Sequence, residues 1–374
     1  MKKLTALILA LTMLFTLATC NRQAEPEVTE EQTEELAEEI PETAKVVAGV
    51  FWYDFTDAYL SNVREALDAD LTEAGITFTN YNAENSQGTQ NEQIDEAIAN
   101  GVKLLIVNFV DTAATDVAQS ICDKAKEADI PIIFFDREVD DSVIVTYENA
   151  CFVGTRYGEA LEKSGMMAGT YICENYNDVD LNGDGIITYI LMAGESGSQE
   201  TPIDRRADII IPDSCNAVLT EAGYPELEYY DLNNQDKYQP FNWFKQAAYE
   251  LMQTALSTNP MDGEHPVEVV FGNNDDAALG CIYALNEVGW NTGDDPSKTI
   301  PVFGKDYTAE AQAAIEAGKM TGSILQSSER MAETITALVG NVQSGKNVFD
   351  GVIENYDVDD GVNKIRVPYE IKDR

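Results

Sequence analysis

Apolar residues along this chain fall into two alternating arrangements. Short unbroken runs are separated by longer stretches in which apolar positions recur every third or fourth residue. Val46-Val47-Ala48-Gly49-Val50-Phe51 is a run of the first kind, and Leu60, Val63, Leu67 and Leu71 mark a helix over 58–74. The alternation continues with a strand over 76–81, a helix over 90–100 closed by Gly101, a strand over 104–107 ending at Asn108, a helix over 113–128, and a strand over 130–135 ending at Asp136. The second half repeats the theme, with strands over 187–192, 268–273 and 300–304, the last two running into Asn274 and Asp306. Short buried strands separated by helices predict parallel sheets covered on both faces.

The two halves also match in kind. KLLIVNFVDTAATD parallels EVVFGNNDDAALG, and IPIIFFDRE parallels IPVFGKDYT. The expected fold class is therefore α/β, with two related doubly wound lobes. Asn108, Asp136, Asn274 and Asp306 then all stand at the carboxyl ends of parallel strands, where open α/β sheets bind ligands. With two such edges opposed, a polar ligand would sit between the lobes. The competing reading of any one of these residues is a cap on the following helix.

Composition narrows the function. The chain has 374 residues, with 24 Lys+Arg against 66 Asp+Glu and a net charge of −42. That length suits two domains. That charge argues against nucleic acid and against an anionic membrane surface as partners. His265 is the single histidine, which rules out His-rich zinc sites and leaves one candidate for any Ser/His or Cys/His mechanism. It lies in a loop-like stretch and reads as solvated. No G-x-S-x-G or Gly-rich phosphate loop stands where a strand meets a helix, and paired carboxylates carry little information among so many acidic residues. The chain is not expected to be an enzyme.

Residues 1–20 join Lys2 and Lys3 to the apolar stretch Leu4–Ala18, the pattern of a secretory leader. Leu17-Ala18-Thr19-Cys20 resembles a lipobox, so Cys20 is the expected lipidation site and the protein is expected to be extracytoplasmic and lipid-anchored. The alternative is a plain leader followed by an incidental cysteine. Residues 21–44 are rich in Glu and read as a solvated tether. Cys122, Cys151, Cys173, Cys215 and Cys281 are widely spaced and odd in number, which favours buried free thiols over a disulfide framework.

Asp180-Leu181-Asn182-Gly183-Asp184-Gly185-Ile186-Ile187-Thr188 matches the first nine positions of an EF-hand loop. Oxygen side chains at positions 1, 3 and 5 converge on one cation, Gly185 permits the sharp turn, and Ile186 offers its carbonyl. Position 12 is Leu191 rather than Glu, so the closing carboxylate must come from elsewhere. Calcium is the expected cofactor, and an Asx-turn loop without an ion is the alternative.

The residues QNEQID (90–95), VNFVD (107–111), FVGT (152–155), DLNGDG (180–185), GNNDDA (272–277), IPVFGKD (300–306) and RVPY (366–369) together resemble the bacterial periplasmic sugar-binding proteins, the galactose/glucose-binding group above all, from about Val46 to Tyr369. That resemblance implies two Rossmann-like lobes, 45–153 plus 327–353 and 154–326 plus 354–374, joined by three hinge crossings near Gly154, Gln326 and Ile353. It implies a calcium site of Asp180, Asn182, Asp184, the Ile186 carbonyl, Thr188 and Glu268. It further implies a sugar site of Asp57, Tyr59, Asn108, Arg205, Asn274 and Asp306, with Tyr59 stacking on one sugar face. Gly194–Glu200 replaces a family loop that carries His and Asp, and Glu200 is the side chain offered there. The second stacking aromatic is one of Tyr238, Phe241 and Trp243. Gln326 and the Asp136-Arg137 pair follow the ribose-binding pattern. The implied partners are a monosaccharide and the permease of an ABC importer, with the protein acting as a monomer. A calcium-dependent extracellular sensor, signalling through a chemoreceptor or sensor kinase, is the alternative.

Overall fold

The computed structural model describes residues 46–194, 206–231, 240–241 and 243–373. The expected leader with Cys20, the acidic stretch 21–44, and Glu200, Arg205 and Tyr238 lie outside the described residues.

Two six-stranded sheets organise the chain. The first contains β1 (Val47–Trp52), β2 (Thr77–Asn82), β3 (Leu104–Val107), β4 (Ile132–Phe135), β5 (Ala150–Gly154) and the late strand β11 (Lys364–Arg366), in the order β2-β1-β3-β4-β5-β11. All of its pairings are parallel. The second contains β6 (Thr188–Met192), β7 (Glu228–Tyr229), β8 (Val269–Gly272), β9 (Val302–Asp306), β10 (Gly322–Gln326) and β12 (Tyr369–Asp373), in the order β7-β6-β8-β9-β10-β12. Only β12 runs antiparallel to its neighbour. The identical winding makes β3 equivalent to β8 and β4 equivalent to β9, as the internal sequence match predicts. Every residue of β3, β4 and β8 is buried, because helices cover both faces.

Local signals explain the helices. In α1 (Ala58–Glu73), Asp57 caps the first turn by accepting from the Leu60 N–H at 2.8 Å, and Leu60, Val63, Leu67 and Leu71 form the buried stripe. Gly75, at φ 70°, lets the chain leave the last turn in a left-handed conformation. The first lobe also carries α2 (Gln87–Ala99), α3 (Thr115–Glu127) and the single turn α4 (Asp141–Ile144). The second lobe carries α5 (Tyr157–Val179), α6 (Ala207–Glu221), α7 (Lys245–Thr258), α8 (Asp275–Glu287) and α9 (Ala309–Glu316). Gly165 and Gly169 let α5 and α6 pack backbone to backbone: a Cβ at Gly165 would lie 2.4 Å from the Ile211 carbonyl oxygen.

After β10 the chain returns to the first lobe as α10 (Ser328–Gln343), whose Met331, Ile335, Leu338 and Val339 join the α1 stripe in one core. Among the described residues three crossings therefore join the lobes. The first is at Thr155–Arg156 and the second at Gln326–Ser327. The third lies at Val367–Pro368 and not near Ile353, which is 75% exposed on a turn. Residues 354–366 thus belong to the first lobe, because β11 pairs with β5 through Ile365 opposite Val153. Lys364 is buried in this short strand because its ammonium meets Glu138 at 2.5 Å and Asp141 at 2.7 Å.

Cys122, Cys151, Cys215 and Cys281 are buried free thiols, and Cys173 is a half-buried one. Among the described residues no helix is long and apolar enough to cross a membrane.

Candidate functional site

The carboxyl ends of β3, β4, β8 and β9 face one cleft of about 570 Å³ between the lobes. The first lobe lines it with Tyr53, Asp57, Tyr59, Asp136 and Arg137. The second lines it with Tyr157, Trp243, Asn274, Lys305 and Asp306. The crossings supply Thr155, Gln326 and Tyr369.

Three aspartates enter from separate elements. Asp57, at the head of α1, spends one oxygen on its capping bond and accepts the Tyr53 hydroxyl proton with the other at 2.7 Å. Asp136 directly follows β4 with φ 61°, and Asp306 ends β9 with φ 106°. Both lie where a side-chain-bearing residue is strained, a feature that clusters at binding sites. Asp136 accepts from Gln326 Nε2 at 2.9 Å and from Asn108 Nδ2 at 3.4 Å. Burial, then the charge of Asp57, raises the Asp136 carboxyl above its usual range, while Lys305 and Arg137 oppose the rise. Burial raises Asp306 well above that range, with Lys305 opposing and Asp275, Asp57 and Asp136 adding to it.

Two cations balance part of this charge. Arg137 donates to the carbonyls of Phe109 at 2.7 Å and Val110 at 2.8 Å, and its guanidinium lies 4.4 Å from the Tyr53 ring centroid. Lys305 Nζ lies 3.9 Å from Asp306 Oδ1, 5.0 Å from the Tyr157 ring centroid and 5.7 Å from that of Trp243.

Among the described residues, two buried donors at the cleft have no hydrogen-bond acceptor: the Tyr59 hydroxyl and Trp243 Nε1. A buried donor without an acceptor is costly, so each is suited to a ligand oxygen. Of the two described candidates, Trp243 rather than Phe241 lines the cleft. Phe241 is fully buried against it, with centroids 5.8 Å apart.

Asn274 lines the cleft and also caps α8 through its Oδ1, so both readings of that residue hold together. Asn108 does not line the cleft. Its side chain is fully buried, accepting from Tyr53 N and donating to the Phe135 carbonyl and to Asp136, so it braces the site from behind. Sequence reasoning missed Tyr53, Thr155, Tyr157, Lys305 and Tyr369. Lys305 and Tyr369 do stand inside the motifs IPVFGKD and RVPY, which was the available signal.

The acidic loop at 180–188 winds tightly on itself. Asp180 accepts from the N–H groups of Gly183 and Gly185, each at 2.9 Å, and Asp184 accepts from that of Ile186 at 2.8 Å. Glu268, fully buried at the start of β8, closes over the loop by accepting from Leu181 N at 2.7 Å and Thr188 N at 2.8 Å. Burial raises its carboxyl to about 7. The Thr188 hydroxyl is buried and bonded to the Pro266 carbonyl, with a longer 3.4 Å contact to Glu268 Oε2, while the backbone N–H of Thr188 makes the shorter bond to that carboxylate. Among the described residues no three acidic, Cys or His side chains converge as metal ligands do. The donor set, two loop carboxylates, one amide oxygen, one carbonyl and a buried carboxylate, is nonetheless the hard-oxygen chemistry that fits calcium.

The family model described as a periplasmic binding protein domain matches residues 47–347. The D-galactose/methyl-galactoside binding periplasmic protein of Haemophilus influenzae is 29% identical over 325 residues, covering 86% of this chain and 87% of that one. The ribose import binding protein of Bacillus subtilis is 21% identical, covering 93% of this chain and 95% of its own. An ABC transporter solute binding protein from Bacillus halodurans, solved with bound myo-inositol, superposes with a TM-score of 0.64 at 23% identity, covering 89% and 96% of the two chains.

Proposed function

This chain belongs to the periplasmic binding protein domain family, and from that premise we propose that it captures a monosaccharide in the interlobe cleft and presents it to an ABC permease. The observation that carries the reading is the pairing, in one cleft, of donors that lack an acceptor among the described residues with buried carboxylates from both lobes. A sugar offers hydroxyls that donate to Asp57, Asp136 and Asp306 and accept from Tyr59 and Trp243, while its C–H faces cover aromatic rings. Bonds to ionised carboxylates are the stronger kind, and a wrong epimer leaves a buried group unpaired. Because the groups come from both lobes, ligand contacts stabilise a closed arrangement, and closure is the signal a permease reads. The galactoside, ribose and myo-inositol named for its relatives support a sugar or polyol, and galactose, glucose or a related monosaccharide is the ligand proposed here.

Calcium in the 180–188 loop would be held by Asp180, Asn182, Asp184, the Ile186 carbonyl and Glu268, with water in the place expected of Thr188. It would neutralise the loop and tie it to β8 without touching the sugar. Lipid on Cys20 would anchor the protein outside the cytoplasmic membrane, with 21–44 as the tether.

Isothermal titration with D-galactose, D-glucose and D-ribose tests the sugar reading in the parent protein and in Asp306→Ala. A charge-assisted bond is worth up to about 3 kcal/mol, so the variant is expected to bind about 100-fold more weakly. Unchanged affinity would remove Asp306 from the site.

A further inference from the structure

We infer that Tyr369 is a positioning residue that ties all three interlobe crossings to the cleft carboxylate of Asp136. The inference rests on the sugar-capture reading for its meaning, though not for its geometry. Each crossing contributes one buried polar side chain to a single hydrogen-bonded chain: Thr155 from the first, Gln326 from the second and Tyr369 from the third. Thr155 Oγ1 bonds to the Tyr369 hydroxyl. Tyr369 donates to Gln326 Oε1 at 3.3 Å, and Gln326 Nε2 donates to Asp136 Oδ1 at 2.9 Å.

Donor arithmetic fixes the direction of every bond. The Gln326 carbonyl oxygen can only accept, so the single Tyr369 proton points to it. Thr155 must then donate to the Tyr369 oxygen. With its Oε1 held, Gln326 presents its amide nitrogen to Asp136. Without the Tyr369 hydroxyl, that amide is free to turn its oxygen onto the Asp136 carboxylate, where two acceptors would face each other. Partners lie 214, 43 and 190 residues apart in sequence, so only the folded crossings bring them together. A rotation of one lobe against the other shifts these three segments relative to one another. The chain therefore links lobe geometry to the orientation of a binding carboxylate.

The test is Tyr369→Phe, alone and combined with Gln326→Met, titrated with D-galactose, D-ribose and myo-inositol. The single variant should bind whichever probe the parent binds about tenfold more weakly, at an unchanged melting temperature. In the Gln326→Met background the same substitution should change affinity less than twofold, because its influence travels through Gln326. Equal losses in both backgrounds would overturn the inference, since Tyr369 would then act on the sugar directly. A sugar-free readout keeps the inference separate from the functional reading. The Gln326 side-chain amide signals, assigned by their loss in Gln326→Met, should be slowly exchanging in the parent and lose that protection in Tyr369→Phe. Unchanged signals would overturn the positioning role whatever the sugars do. Should no probe bind the parent, the sugar-capture reading fails while the amide signals still decide this one. Thr155→Val, which removes the far donor, should shift the same signals in the same direction if Tyr369→Phe folds poorly.

Discussion

Asp275 is fully buried behind the cleft, with one carboxylate oxygen on Ser323 Oγ at 2.7 Å and the other on the Thr308 N–H at 2.6 Å. Burial pushes its carboxyl up to about 7 despite those bonds. A carboxyl raised in the folded state binds its proton more tightly there than in the unfolded chain. Its contribution to stability therefore grows as pH falls from about 7 towards its ordinary range, by about 1 kcal/mol per unit. Asp136, Asp306 and Glu268 are raised in the same sense, so urea melts between pH 8 and pH 5 should show a gain in both proteins that is larger in the parent than in Asp275→Asn; gains of equal size would remove Asp275 from the titration. The raised carboxyls of Asp136 and Asp306 act in the opposite sense on binding, since protonation on acidification removes acceptors for sugar hydroxyls. At this scale much of the cleft was legible, because a strand's carboxyl end can be counted from the sequence. Asp136, Asn274 and Asp306 follow from it directly. Asn108 occupies an equivalent end but donates its amide to the Phe135 carbonyl and the Asp136 carboxylate behind the cleft, which depends on neighbours that no spacing reveals. Tyr53, Tyr157 and Tyr369 were missed because an aromatic at a strand or helix end reads equally well as core.

Helix and strand identities were legible where the apolar period was sustained, as in α1, and the single-turn α4 and the three-residue β11 were not. β11 is Lys-Ile-Arg, and its charges are buried only because Glu138, Asp141 and Asp359 come to meet them. Glu138 and Asp141 are more than 220 residues away in sequence, so no local pattern marks Lys-Ile-Arg as a strand or sets the third crossing after it. Arg366, set between Glu138 and Asp359, anchors the strand that leads into it. The α5–α6 contact shows a different dependence on composition. Gly165→Ala would force a methyl group to 2.4 Å from the Ile211 carbonyl oxygen and 2.6 Å from Ser214 Cβ. Overpacking of this kind costs about 1–3 kcal/mol. The variant should melt several degrees lower with sugar affinity intact, and an unchanged melting temperature would mean that α5 and α6 part easily.

Across the whole molecule, the internal repeat predicted the matched winding of the two sheets, and the net charge of −42 fits a neutral ligand better than an anionic partner. Glu268 joins the 180–188 loop to the sheet of the second lobe, so calcium held there would stabilise the lobe as a whole. Melting in calcium should exceed melting in chelator, and Glu268→Gln should abolish the difference; an equal loss in both conditions would leave Glu268 a structural brace only. Sugar capture between the lobes is tested most directly by thermal denaturation of the protein against a panel of hexoses, pentoses and inositols. A ligand that binds only the folded state stabilises it by about 4 kcal/mol at a thousandfold excess over Kd. The account predicts that one sugar class raises the melting temperature by several degrees and that Asp306→Ala loses the shift. A panel in which no sugar moves the parent protein would contradict it.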